Sequence, residues 1–149
     1  MAGFSNQAEN ALVDWLWRGQ AAPALPANWF FALLIAVPGD DSAGLVEAAG
    51  GSYARAVAPR SLAGFAGTQG AGSTAASNGA GATTSNNQPI AWPAPTADWG
   101  MVRAIAIFDA AVGGTAWFIG TLAEAKMVRA GDAPPTLAAG SFSFTLDAG

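Results

Sequence analysis

The sequence predicts an all-β domain: an antiparallel β-sandwich, jelly-roll-like, with one short N-terminal helix and a long Gly/Ala-rich loop. Three observations lead there. Seven or eight short runs of aromatic and branched residues are separated by Gly- and Pro-containing turns, the spacing of a sandwich. Only one segment, near the N-terminus, carries apolar residues at helical spacing. Between the strand signals lies a stretch, residues 63–88, with no charge and only Phe65 as a large apolar residue. At 149 residues the chain suits a single domain, 1–149, with a helix at 6–18 and the sandwich at 29–149.

The helix is expected to start at Asn6 as N-cap, with Glu9 as capping-box partner, and to stop before Gly19. Ala8, Leu12, Trp15 and Leu16 form one stripe, while Val13 and Trp17 sit on other faces. A helix this short and this apolar is marginal alone and needs a partner, in its own domain or on a neighbour. Pro23 and Pro26 mark an irregular connector. Trp29–Ala36 is a continuous apolar run closed by Pro38-Gly39-Asp40-Asp41, which reads as a core strand buried on both faces.

Tyr53–Val57 reads as a weaker strand, its alternate positions filled by alanine. Residues 63–88 cannot bury enough surface to offset their ordering entropy, and so read as a loop or arm, disordered or ordered by another subunit. Pro89–Pro93 is short and proline-flanked, as an edge strand would be. Met101–Phe108 alternates and turns through Asp109–Gly114 into a hairpin mate, Thr115–Leu122. Val128 is expected to begin a further short strand. Ser141–Leu146 closes the chain with period-two alternation, placing Phe142, Phe144 and Leu146 inward.

Composition excludes several classes of function. Hydrophobic residues make up 52%, but 37 of them are alanine, so the large apolar fraction is that of an ordinary small core. There is no His and no Cys, which removes disulfides, Cys/His zinc sites, thiol nucleophiles and imidazole acid–base chemistry. A net charge of −4 with six scattered cations is wrong for a nucleic-acid binder. The first residues lack the basic and apolar regions of a signal peptide, and the longest apolar run, nine residues, falls short of the roughly 20 that span a membrane.

The remaining candidates for chemistry are carboxylates. Asp40, Asp41, Asp98, Asp109, Asp132 and Asp147 sit at turns or strand ends, where Asp serves the backbone. Asp40-Asp41 lacks the spaced oxygens of a calcium loop, although two acids from distant turns could converge as a glycosidase pair. Six tryptophans could line a sugar-binding groove, but Trp29, Trp92 and Trp117 lie within strand runs and read as core. Gly50-Gly51 and Gly113-Gly114 suit hairpins and match no phosphate loop. The expectation is a non-enzymatic chain with no cofactor and no metal.

The order of motifs carries a resemblance. Asn10-Ala11-Leu12-Val13-Asp14 precedes the strand ending in Pro38-Gly39-Asp40-Asp41. Gly51-Ser52-Tyr53-Ala54-Arg55 and Thr84-Ser85-Asn86-Asn87-Gln88-Pro89-Ile90 follow. Ala97-Asp98-Trp99-Gly100, Ile105-Ala106-Ile107-Phe108-Asp109-Ala110 and Ala130-Gly131-Asp132 complete the series. It resembles a family of small tailed-phage virion proteins described as tail-fibre, head-fibre or head-decoration (cement) proteins. The alanine-rich 63–82 stretch and Trp92 depart from that pattern.

The resemblance implies a structural protein of the virion. Compactness, low charge and an uncharged arm favour a capsid decoration (cement) protein binding the major capsid protein on the head surface. A tail or tail-fibre component and a carbohydrate-binding module are the alternatives. Proteins of this kind commonly sit at threefold positions, which implies a homotrimer. The expected contact residues are Ala8, Leu12, Trp15 and Leu16 on the helix and Phe65, Asn86 and Asn87 on the arm. Neither nucleic acid nor membrane is an expected partner.

Overall fold

The computed structural model describes residues 2–70, 72–78 and 81–146. In chain order these form β1 (Ala2–Phe4), α1 (Asn6–Trp17), β2 (Asn28–Leu34), β3 (Ala56–Pro59), β4 (Thr83–Ser85), β5 (Ile90–Ala91), β6 (Gly100–Phe108), β7 (Ala116–Val128), β8 (Thr136–Leu137) and β9 (Ser143–Thr145). The fold is all-β, and every strand pairing is antiparallel. Five strands form one sheet in the order β1-β7-β6-β2-β3. The layer facing it consists of two ribbons, β4-β9 and β5-β8, rather than one continuous sheet.

β2 sits inside the sheet because both of its faces are apolar. Phe31 and Leu33 point to one side and pack with Ile90, Trp92, Trp99, Val102, Ile107 and Val128. Ala32 and Leu34 point to the other and meet Ala104, Ala106, Phe108, Ala116 and Ile119. The first face is covered by the ribbons, through Ile90, Leu137 and Phe142. The second is mostly alanine, and Leu45 packs against it. Burying each large aliphatic or aromatic side chain contributes about 1.5–3 kcal/mol, so the Phe31 face supplies most of the driving force.

Several boundaries differ from expectation. The helix cap is Ser5, not Asn6: its hydroxyl accepts the Ala8 N–H at 3.3 Å and donates to the Ala116 carbonyl at 2.6 Å. Asn6 and Ser5 have similar capping propensity, and the bond to β7 selects the serine. The helix ends at Trp17, with Gly19 at φ 68° letting the Gln20 N–H reach back to the Asp14 carbonyl. The second expected strand lies three residues later, at Ala56–Pro59, because Tyr53 and Arg55 are committed to Glu47 before β3 begins.

Val128 ends β7 instead of opening another strand, since β7 runs for 13 residues. Its pairing with β6 is broken: Val102 faces Lys126 while Ala104 faces Thr121, so Leu122 to Ala125 oppose Arg103 alone. That interruption explains why Val102 and Ala104, two residues apart, belong to opposite faces. A second shift leaves Trp117 as an extra residue opposite the Ile107–Phe108 step. Phe142 and Phe144 are half-buried as their alternation predicts, but Leu146, beyond the end of β9, is exposed.

Residues 63–88 are not a free arm throughout. Phe65 bridges Asn86, β4 pairs with β9, and the Ala66 N–H donates to the Ser85 carbonyl at 2.8 Å. The loop between them is held by its own polar groups. Asn87 does most of this, accepting the Gly72 N–H at 2.7 Å and donating to the Leu62 and Ser73 carbonyls.

Candidate functional site

Four of the expected carboxylates are engaged with backbone N–H groups, and Asp98 and Asp132 accept from the adjacent residues Ala130 and Arg129 of one turn. Asp109 accepts the Thr115 N–H at 2.7 Å and the Trp117 indole N–H at 3.2 Å, closing the β6–β7 turn. Asp41, Asp98 and Asp132 each accept one backbone N–H, from Ala43, Ala130 and Arg129. Among the described residues no group of three or more acids could hold a metal ion. Asp147 lies outside the described residues.

The strongest electrostatic feature, which sequence reasoning missed, is internal. Arg55 binds Glu47 side-on, its Nε and Nη2 donating to the two carboxylate oxygens at 2.9 and 2.8 Å. Its remaining nitrogen donates to the Ala110 and Gly113 carbonyls, and its guanidinium lies 3.6 Å from the Phe108 ring centroid. Tyr53 donates to Glu47 at 2.8 Å and accepts the Leu33 N–H at 3.0 Å. Burial, then the hydrogen bond to Glu47, push the Tyr53 hydroxyl well above the ordinary phenol range. This network ties the segment before β3 to the β6–β7 turn. Its donors and acceptors are spent on one another, so it acts as a clamp.

The surface most suited to contact is apolar. A groove of about 460 Å³ opens between the sheet and the β4-β9 ribbon. Trp29, Phe65, Phe118, Phe142 and Phe144 line it, with Leu62 and Arg60 at the rim. The rings hold one another in place: Phe118 meets Phe144 at 5.1 Å and 70°, and Phe65 meets Phe142 at 6.4 Å and 78°. Arg60 donates through Nε to the Pro26 carbonyl at 2.6 Å, and among the described residues no carboxylate pairs with it. Trp29 and Phe118 also line a smaller hollow, about 160 Å³, beneath Leu12 and Trp15 of the helix.

The tryptophans therefore divide. Trp92 is core, and its indole donates to the Phe31 carbonyl at 3.0 Å. Trp29 and Trp117 are only half-buried, 6.2 Å apart, and serve the surface hollows.

The expected contact residues divide as well. Ala8 is fully buried within the subunit, and Leu12 and Trp15 turn partly toward the sheet. Leu16 stays 60% exposed and Trp17 83%. Phe65 lines the groove. Asn86 is 1% exposed and fully engaged: its amide donates to the Gln88 and Ala138 carbonyls, and its oxygen accepts the Phe142 N–H. Asn87 holds the loop through the bonds already given. Ala8 and Asn86 thus have no surface left to offer a neighbour.

The fold is a strand-built module with a broad aromatic surface, and comparison with known families gives its class: phage fibre and virion structural proteins. The particular family is the one described as Podophage GP4 fiber I protein gp80, which matches residues 3–145, and the chain belongs to it. The kinship with small tailed-phage virion proteins that the motif order implied is thereby shown. No curated protein matches the chain. Among the described residues no helix is long and apolar enough to cross a membrane.

Proposed function

We propose that the chain is a non-enzymatic structural subunit of a phage fibre, working by protein–protein contact within the virion. The observation that carries this reading is the family match across residues 3–145, whose description names a fibre protein. It favours the tail or fibre alternative over capsid decoration, for which composition was the main support. The surface suits such a role. An aromatic groove and an exposed apolar helix face supply contact area, while Asp41, Asp98, Asp109 and Asp132 are occupied in holding turns. Other virion proteins and further copies of this chain are the partners proposed under this reading. Antibody labelling of intact particles in the electron microscope tests it. Label on fibres is the expected result, and label spread evenly over the capsid lattice restores the decoration reading.

A further inference from the structure

We propose that the outward face of α1 from one copy docks in the aromatic groove of another. The helix presents two apolar faces. Ala8, Leu12 and part of Trp15 turn toward the chain's own sheet, Trp15 keeping 45% exposure, while Val13, Leu16 and Trp17 stand further out at 50%, 60% and 83%. Their spacing of i, i+3 and i+4 makes a single stripe, the pattern by which amphipathic helices anchor in apolar grooves. An aromatic side chain carries roughly 150–250 Å² of contact area, and Trp17 leaves nearly all of its share in water. The groove, about 460 Å³, falls in the range of roughly 300–1,000 Å³ typical of pockets that bury small-molecule ligands, which leaves room for an indole ring.

Charge selects the occupant. Glu9 lies one turn before Val13 on the outward stripe, and among the described residues it makes no ion pair. Arg60 stands at the groove rim, likewise without a carboxylate among the described residues. One chain therefore carries an apolar stripe headed by an acid and an apolar groove edged by a cation. Asp14, which flanks this stripe beside Trp17, is already neutralised by Arg18 at 2.6 Å, so the pair adds no net charge. Trp29 and Phe118 border both the groove and the hollow under the helix, so the two surfaces adjoin and neighbouring copies can exchange them. A helix-to-groove contact joins unlike surfaces, which closes into a ring or extends along a fibre according to the rotation between copies.

The test is complementation between two variants of the full chain. Trp17→Ser damages the stripe, and Leu62→Glu damages the groove. Both positions are more than half exposed, and circular dichroism should confirm that each variant folds. Sedimentation should show wild type associating, and each variant alone at least tenfold weaker. Mixing the two should restore a hetero-complex, since an intact helix can still enter an intact groove. Arg60→Glu should weaken association, and Glu9→Arg added to it should recover part of the loss. A monomeric wild type overturns the proposal, and so does a Leu62→Glu chain that associates normally while Trp17→Ser does not, the signature of helix-to-helix pairing. Particle labelling reads a different quantity, so failure of the fibre assignment and failure of this contact are separable.

Discussion

Replacing Asn86 by Ala should destabilise the fold strongly while leaving its surface untouched. The side chain is buried and makes three hydrogen bonds, two donated at 2.8 Å and one accepted at 2.9 Å. Each is worth about 0.5–1.5 kcal/mol net, and leaving partners buried and unpaired moves the cost toward the upper end. The Ala138 carbonyl and the Phe142 N–H are the partners to consider, because both belong to the segment that Asn86 joins to β4. A loss of about 3–4 kcal/mol follows, roughly 6–16 °C in melting temperature for a chain of this length. Urea unfolding followed by tryptophan fluorescence measures it, with the midpoint falling and the slope unchanged. A loss below about 1 kcal/mol, or an unchanged midpoint with impaired self-association, would refute the internal role and return Asn86 to the surface.

Three further outcomes are expected. Tyr53 is the chain's only tyrosine, so tyrosinate absorbance reports it alone. Its raised pKa means that the folded chain holds the proton while the unfolded chain releases it above about pH 10; stability is full below that pH and falls as pH rises through it. A tyrosine titrating normally in the folded protein would contradict the burial and the Glu47 bond. Arg55→Met should cost about 2–4 kcal/mol in denaturant unfolding, since Glu47 and two turn carbonyls lose their partner; a cost within about 0.5 kcal/mol would show the clamp to be dispensable. Replacing residues 67–81 by two glycines should leave the circular dichroism spectrum intact, because Thr84 already bonds the Ala66 carbonyl at 2.8 Å and brings the loop ends together. A spectrum that loses its strand signal would mean that the loop is part of the fold.

Local chemistry made much of this protein legible. The aromatic run at β2 had to lie inside a sheet, because no other strand position buries both faces of Phe30-Phe31-Ala32-Leu33-Leu34. The β6–β7 hairpin followed from alternation into Asp109–Gly114, and Gly113 and Gly114 do take positive φ there, at 64° and 74°. The order of short motifs was enough to place the chain among phage virion proteins, since it needs only residue identity along the chain.

What stayed hidden was every property set by partners distant in sequence. Asn86 looks like a loop residue until Ala138 and Phe142, more than 50 positions away, surround it. Arg55 sits in an ordinary strand signal, and its clamp exists only because the β6–β7 turn comes to lie beside Glu47. Periodicity could not say that β7 would carry four residues opposite Arg103, because a bulge is a relation between two strands. The helix shows the division most plainly. Its residues determined that more than one face would be apolar, but which face met the protein and which met solvent was decided by β7, where Ser5 anchors the first turn to Ala116. A periodic pattern fixes which side chains share a stripe; only the surface that the helix lands on fixes where that stripe points.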